Sequence, residues 1–250
     1  MKIGIDAHSA ERDGSGNCTY IRGLLTALKK IDRKNKYVLY VTDKNHPFFK
    51  DFLLNDNVEI KQLPVQNPLL RIPFFLAKNT YIDSLDILHV QYNAPPLHKG
   101  KLVVTIHDLC FLHFPEYFSR FEALRLKILT HLAAKQSDKI ITGSDYSRKD
   151  IIRNYRIESQ KIELISCGVS SIFGAEDNPR KTQQILDKYN IPEPYFLSVG
   201  RLNPRKNLLS LVKAFSFLKK KESIPHKLAI VGKEDYNTSK MIQSVEKMDY

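Results

Sequence analysis

The chain has 250 residues, 42% hydrophobic and 26% charged, which suits a soluble globular protein with one large domain, or one domain and part of another. No apolar run is long enough to cross a bilayer, and Met1-Lys2-Ile3-Gly4-Ile5-Asp6 reads as a strand rather than a signal peptide, so a cytoplasmic protein is expected. The net charge of +12 fits a phosphate-bearing substrate, an anionic membrane face or nucleic acid without choosing among them, and Cys18, Cys110 and Cys167 are too few and too far apart for a disulfide framework or a metal site.

In chain order, the strand-like runs of the first part are Lys2–Asp6, Tyr37–Thr42, Val58–Leu63, Ile87–Gln91, Leu102–His107, Lys139–Thr142 and Lys161–Ile165. Most are bare apolar runs, as expected of strands covered on both faces. Helical patterns lie between them, clearest at Cys18–Lys30, Ser119–Lys135 and Ser147–Tyr155; in the first, Ile21, Leu24, Leu25 and Leu28 mark one face. The alternation predicts an α/β fold with a parallel sheet and helices on both sides. After Gly168 periodicity lapses through Ser170–Arg180, which reads as a linker. A polar helix near Lys181–Lys188 follows, then a strand Tyr195–Val199, a helix Asn207–Lys220, a strand Lys227–Val231 and a last helix toward Tyr250. This assigns 1–172 to a first domain, 173–190 to a linker and 191–250 to the start of a second, whose two strands cannot bury a sizeable core alone.

Chemistry points first to Gly200-Arg201-Leu202-Asn203-Pro204-Arg205-Lys206-Asn207. It leaves the carboxyl end of a strand and enters a helix, where ligands of open α/β sheets gather and free N–H groups favour anions. Arg205 and Lys206 are mildly unfavourable at a helix N-terminus unless an anion is bound, and a diphosphate would reverse the balance. The competing reading is a solvated basic turn. His107-Asp108, at the end of an apolar strand, places an imidazole at the sheet's carboxyl edge, where it can bond a sugar hydroxyl or merely close a turn. The loop Ala7–Asn17 carries Gly14 and Gly16, which let backbone N–H groups approach a ligand or simply shape a turn. It is a poor dinucleotide fingerprint, since Thr19 stands where a third glycine is wanted. Ser144 and Ser147 precede a helical run and suit capping. Pro68–Lys78 groups Leu69, Leu70, Ile72, Phe74, Phe75 and Leu76 beside Arg71 and Lys78, the pattern of a core helix or loop, or of a membrane-contacting segment. No His or carboxylate cluster has zinc or calcium spacing.

Together these segments resemble the retaining glycosyltransferases of family 4, or group 1, with two facing Rossmann-like domains. The resemblance covers essentially the whole chain. It is carried by Asp13-Gly14-Ser15-Gly16-Asn17 with Tyr20; by Thr105-Ile106-His107-Asp108-Leu109 with Pro115-Glu116-Tyr117-Phe118; by Thr142-Gly143-Ser144-Asp145-Tyr146-Ser147; by Ser166-Cys167-Gly168-Val169; and by Val199-Gly200-Arg201 through Lys206-Asn207.

The resemblance implies that Arg205 and Lys206 grip the donor's diphosphate as the leaving group departs, with Gly200, Arg201 and Asn207 beside them, and that His107 contacts the transferred sugar. Gly14 and Gly16 approach the donor, while Asp108, Tyr20 and Ser144 belong to the acceptor side. Retention by front-face attack follows, with the departing phosphate as base and no cofactor or metal. The donor is a nucleotide-diphosphate sugar in a cleft closed by the two domains. GDP-mannose is the first expectation, and a uridine diphosphate sugar the second. The acceptor is a glycan or lipid-linked precursor of a surface polysaccharide, which would suit peripheral contact with an anionic membrane. In one respect the chain departs from the family: the glutamate pair expected deep in the second domain is missing, since the acidic residues after Gly232 are Glu234, Asp235, Glu246 and Asp249. The second domain is therefore expected to be incomplete, and these 250 residues to bind donor weakly, if at all, and to turn over poorly. The rival readings are a degenerate half acting as a partner subunit, a basic nucleic-acid-binding protein, for which interleaved aromatics are lacking, and a dehydrogenase, which the glycine pattern disfavours.

Overall fold

A computed structural model describes residues 1–170, 173–174, 178–234 and 242–243. The chain divides into two compact units, Met1–Ser170 and Ser171–Tyr250.

The first unit holds a seven-stranded, wholly parallel sheet of β1 (Lys2–Asp6), β2 (Lys36–Val41), β3 (Val58–Gln62), β4 (Ile87–Gln91), β5 (Lys101–Thr105), β6 (Lys139–Thr142) and β7 (Ile162–Leu164). Their order across the sheet is β3-β2-β1-β4-β5-β6-β7, the doubly wound arrangement, with the direction of winding reversing between β1 and β4. Alternate residues of one strand feed different cores, because helices cover both faces. On β2, Val38 and Tyr40 join a cluster with Leu88, Val104 and Ile140, whereas Leu39 and Val41 join Ile5, Ile21, Leu25 and Phe49.

Helix α1 (Gly16–Ile31) buries Ile21 and Leu25 in that second cluster, and Ser15 caps it by accepting from Cys18 N at 3.1 Å. A 3-10 segment, Pro47–Phe52, buries Phe49 and Phe52. The apolar stretch after β3 is helical: α2 (Pro68–Leu70), a π-helical segment Arg71–Leu76, and α3 (Ala77–Ile82). Pro73 has no N–H to donate and its ring crowds the preceding turn, which accounts for the widened turns. Arg71, Ile72 and Leu76 are buried, while Leu69, Leu70 and Phe74 are exposed. A short turn, α4 (Cys110–His113), follows β5; α5 (Arg120–Gln136) and α6 (Asp145–Tyr155) flank β6.

The second unit has α7 (Pro179–Lys188), then β8 (Tyr195–Val199), α8 (Leu208–Glu222) and β9 (Lys227–Val231), with the two strands paired in parallel. The segment 173–190, expected as a linker, thus contains α7. Among the described residues its core is thin: Leu186, Leu208 and Val212 are buried, while Phe196, Leu197, Val199 and Val231 are exposed. The helix expected toward Tyr250 falls outside the described residues except for Ile242 and Gln243.

Candidate active site

A parallel strand presents its last residues at the carboxyl edge of the sheet, and where winding reverses, the loops part to leave a crevice. Here that place lies between β1 and β4. β5 ends at Thr105, and the backbone runs on through Ile106, whose N–H donates to Ile141 O, to bring His107 to this edge.

His107 Nε2 donates to Gln91 Oε1 at 2.9 Å, and Gln91 Nε2 donates in turn to Ser9 Oγ at 2.8 Å. An amide oxygen only accepts, so this pairing selects the Nε2–H tautomer and leaves Nδ1 as the nitrogen with the lone pair. Burial lowers the pKa of His107, against the pull of Asp108, so the ring is neutral at pH 7. Two tyrosines orient it edge-on: Tyr20 from α1, with centroids 4.8 Å apart, and Tyr92 just past β4, at 5.6 Å. Tyr92 sits in the left-handed region with φ of 59°, a conformation that costs a non-glycine residue about 1–2 kcal/mol. Its N–H donates to Thr105 O at 3.0 Å, which holds it there.

Thr105 organises the layer beneath. Its Oγ1 is hydrogen bonded to the Tyr20 hydroxyl at 2.9 Å and to His89 Nε2 at 2.8 Å. Burial, with a contribution from His107, pushes His89 down to about 4, so it is neutral, and burial also raises the Tyr20 phenol. At the end of β1, Asp6 pairs with the buried Arg71 and with His8 Nδ1.

The remaining expected residues fall into place as follows. Asp108 Oδ1 accepts from Cys110 N at 2.9 Å, so its carboxylate closes the turn into α4. Ser144 caps α6: its Oγ accepts from Ser147 N at 3.1 Å and donates to Ser147 Oγ at 3.0 Å, and Ser147 Oγ donates to His107 O at 2.9 Å. Ser144 therefore reaches the histidine only through Ser147, which is the third residue of the helix rather than a cap. Gly14 takes a φ of 77°, which glycine adopts freely, and Gly16 is the first residue of α1. The loop is anchored by Arg22, whose Nη2 is 2.8 Å from Asp13 Oδ1 and whose Nε donates to Ala10 O at 2.8 Å.

In the second unit, Arg205 and Lys206 are exposed within a 3-10 turn, Pro204–Lys206, which Asn203 caps by accepting from Arg205 N at 2.9 Å. Asn207 then turns left-handed, with φ of 53°, and α8 starts at Leu208 without a side-chain cap. The first N–H groups of α8 thus lack the usual competitor for an anion. Gly200 N donates to Val231 O at 2.9 Å, and a Cβ on Gly232 would lie 1.7 Å from Gly200 O, so Gly232 is what lets the two strand ends run together.

Sequence reasoning missed Gln91, His89, Thr105, Tyr92, Asp6 and Arg71. The carboxyl-edge rule that located His107 applies equally to Gln91 and Asp6, the last residues of their strands.

Residues 16–171 match the profile described as Glycosyltransferase Family 4, and residues 181–249 that of Glycosyl transferases group 1. The chain belongs to glycosyltransferase family 4. This family 4 chain is 26% identical to the O-antigen chain mannosyltransferase B of Escherichia coli, over 62% of its own length and 42% of the relative's. It is 27% identical to the N-acetylgalactosamine-N,N'-diacetylbacillosaminyl-diphospho-undecaprenol 4-alpha-N-acetylgalactosaminyltransferase of Campylobacter jejuni, over 62% of its own length and 44% of the relative's. The Anabaena protein HepE, solved with UDP-glucose, shares the fold at a TM-score of 0.65 and 16% identity, over 99% of this chain and 65% of that one. The chain therefore spans less than half the length of these curated relatives.

Proposed function

We propose that this chain transfers a hexose from a nucleotide-diphosphate sugar to a glycan or lipid-linked acceptor in the synthesis of a cell-surface polysaccharide. The observation that carries the reading is a neutral histidine, His107, locked through Gln91 at the crevice edge of a family 4 fold. The Nδ1 lone pair accepts from a hydroxyl of the transferred sugar, which a protonated ring could not do. Arg205 and Lys206 hold the diphosphate and stabilise the charge that develops as it leaves, with the backbone of Gly200, Arg201 and Asn207 alongside. Backbone N–H groups around Gly14 and Gly16 approach the donor. Tyr20, Asp108 and Ser144 line the acceptor side, Tyr20 through its contact with His107. Transfer proceeds with retention and without a metal or cofactor, the basic pair serving the diphosphate.

The names of the O-antigen mannosyltransferase relatives support mannose, hence GDP-mannose, as the donated group, and the name of the Campylobacter jejuni relative supports a lipid-linked acceptor. Such an acceptor suits a chain of net charge +12 working at an anionic membrane face.

The test is calorimetric binding of GDP-mannose and UDP-glucose to the 250-residue chain, with Arg205→Ala and Lys206→Ala variants checked for fold by circular dichroism. A charge-assisted hydrogen bond contributes roughly 1.5–3 kcal/mol, so each variant is expected to bind its donor about tenfold more weakly or worse. Binding that ignores both substitutions overturns the assignment.

A further inference from the structure

The run that leaves β1 turns over the end of that strand as a 3-10 segment, His8–Glu11, pinned to the strands on either side. Toward β4, Ser9 Oγ accepts from Gln91 Nε2, the amide that also holds His107. Toward β2, the Glu11 carboxylate accepts from the backbone N–H groups of Thr42 and Asp43. Anchored at both sides, the segment can hold a side chain with the precision of a strand.

His8 opens this segment, and its two ring nitrogens have different surroundings. Nδ1 lies 2.8 Å from Asp6 Oδ1 and 3.1 Å from Arg71 Nη2. Nε2 has no partner among the described residues and reaches solvent, the side chain being 23% exposed.

Two neutral forms of the ring fit this setting. With the proton on Nδ1, the ring donates to Asp6, and Nε2 carries a lone pair. With the proton on Nε2, Nδ1 accepts from Arg71, and Nε2–H is a donor. A carboxylate only accepts and a guanidinium only donates, so each form satisfies Nδ1 through a different neighbour. His107 is unlike this, because Gln91 Oε1 fixes its tautomer. The crevice edge thus carries one imidazole nitrogen that only accepts and a second, on His8, that can do either.

As a fastening between two elements, the Asp6–Arg71 pair is often no better than apolar side chains of the same volume would be. Arg71 Nε, moreover, is buried without a partner among the described residues, so Asp6 and His8 are what hold the guanidinium. Apolar side chains could not offer an acceptor and a donor to one imidazole nitrogen. A hydroxyl is the group that matches the result at Nε2, since it both donates and accepts; a phosphate or carboxylate only accepts, and an ammonium only donates.

We propose that His8 Nε2 holds a hydroxyl of a bound sugar, taking whichever role, donor or acceptor, that hydroxyl leaves open. Naming the ligand a sugar rests on the transferase reading above; the two-way imidazole does not.

The test is NMR of the 250-residue chain with nitrogen-15 in its histidines, at pH 8, where the two ring-nitrogen shifts report how the proton is divided between them. The signals missing from His8→Gln belong to His8. Without ligand they are expected between the positions of the two tautomers, and a bound sugar moves them toward one. The probes are methyl α-mannoside, and GDP-mannose and UDP-glucose set against GDP and UDP. A shift with the glycoside assigns the hydroxyl to an acceptor sugar, and a shift with a nucleotide sugar that the nucleotide does not produce assigns it to the donor sugar. In calorimetry, loss of one hydrogen bond in His8→Phe weakens the sugar that shifts His8 by about three- to tenfold and leaves GDP and UDP unchanged. His8→Gln, whose amide also donates and accepts, recovers most of that loss. His8 signals that no sugar moves, or sugar binding that is equal in His8→Phe, overturn the proposal. A sugar-dependent His8 shift in a chain whose donor binding ignores the Arg205 and Lys206 substitutions keeps this site and drops the transferase reading. Donor binding that needs those two residues while His8 signals stay unmoved does the reverse.

Discussion

Arg71 Nη1 lies 2.7 Å from Asp6 Oδ1, and the two side chains are only 1% and 4% exposed. The pair joins the π-helical segment to the end of β1, beneath the loop that carries Gly14. Removing one partner of a buried pair strands the other's charge, at a cost of about 3–5 kcal/mol. Arg71→Met and Asp6→Asn are each expected to lower unfolding stability on that scale in urea, and the double variant to lose less than the two losses added. Additive losses would show that the side chains act independently.

Acid should unfold the first unit in two stages. An unfolded histidine takes a proton near pH 6.5, whereas burial holds His89 down to about 4. Its contribution is whole above about pH 6.5 and is lost as pH falls toward about 4, by at most about 1.4 kcal/mol per pH unit. For Asp6, burial would raise the pKa, but the charges of His8 and Arg71 and their hydrogen bonds overcome it and hold the carboxyl well below the usual range. That contribution is whole above the ordinary value of 3.8 and is lost below it. His89→Gln, which can still bond Thr105, should flatten most of the upper stage, the remainder belonging to His107. Asp6→Asn should alter only the lower one. Urea midpoints measured across this pH range check both.

Ser144 separates a structural role from an acceptor-side one. Ser144→Ala removes the cap of α6 and is expected to cost about 1 kcal/mol, whereas Ser144→Asp keeps a capping oxygen. If capping is its whole contribution, Ser144→Asp restores both stability and acceptor KM. If KM for acceptor rises in both variants while stability recovers in Ser144→Asp, the hydroxyl itself meets the acceptor.

Gly232→Ala puts a methyl group into Gly200 O, and the strand ends must part to admit it. Overpacking of this sort costs about 1–3 kcal/mol. Since Gly200 opens the turn to Arg205 and Lys206, faster proteolysis of the second unit should accompany weaker donor binding. Unchanged proteolysis and binding would mean that the close approach is not needed.

Much of the fold could be read from local pattern, because a strand covered on both faces writes itself as an unbroken apolar run. Val38 through Val41 did so, and their side chains enter both cores. His107 was legible for a similar reason: a polar residue directly after such a run must emerge at the sheet's edge. Its supports were not legible. Gln91 and His107 are 16 residues apart, Asp6 and Arg71 65, and neither pairing leaves a local mark. Arg71 in particular looked like the charged flank of an apolar stretch that could touch a membrane, since only the folded chain brings Asp6 to it. The 3-10 segment Pro47–Phe52 escaped because packing of Phe49 and Phe52, rather than periodicity, defines it.

The π-helical segment has one more consequence. Each widened turn holds extra backbone compared with an α-helix, so deleting a single residue between Arg71 and Leu76 would leave a run still able to coil, now as ordinary helix. Every side chain before the deletion would then swing about 100° relative to those after it. Arg71 could no longer reach Asp6 while Leu76 and Thr80 kept their buried places. This stretch can therefore exchange side chains more readily than it can change length, and the count of residues between Asn67 and Asp83 is as much a part of the site as any one of them.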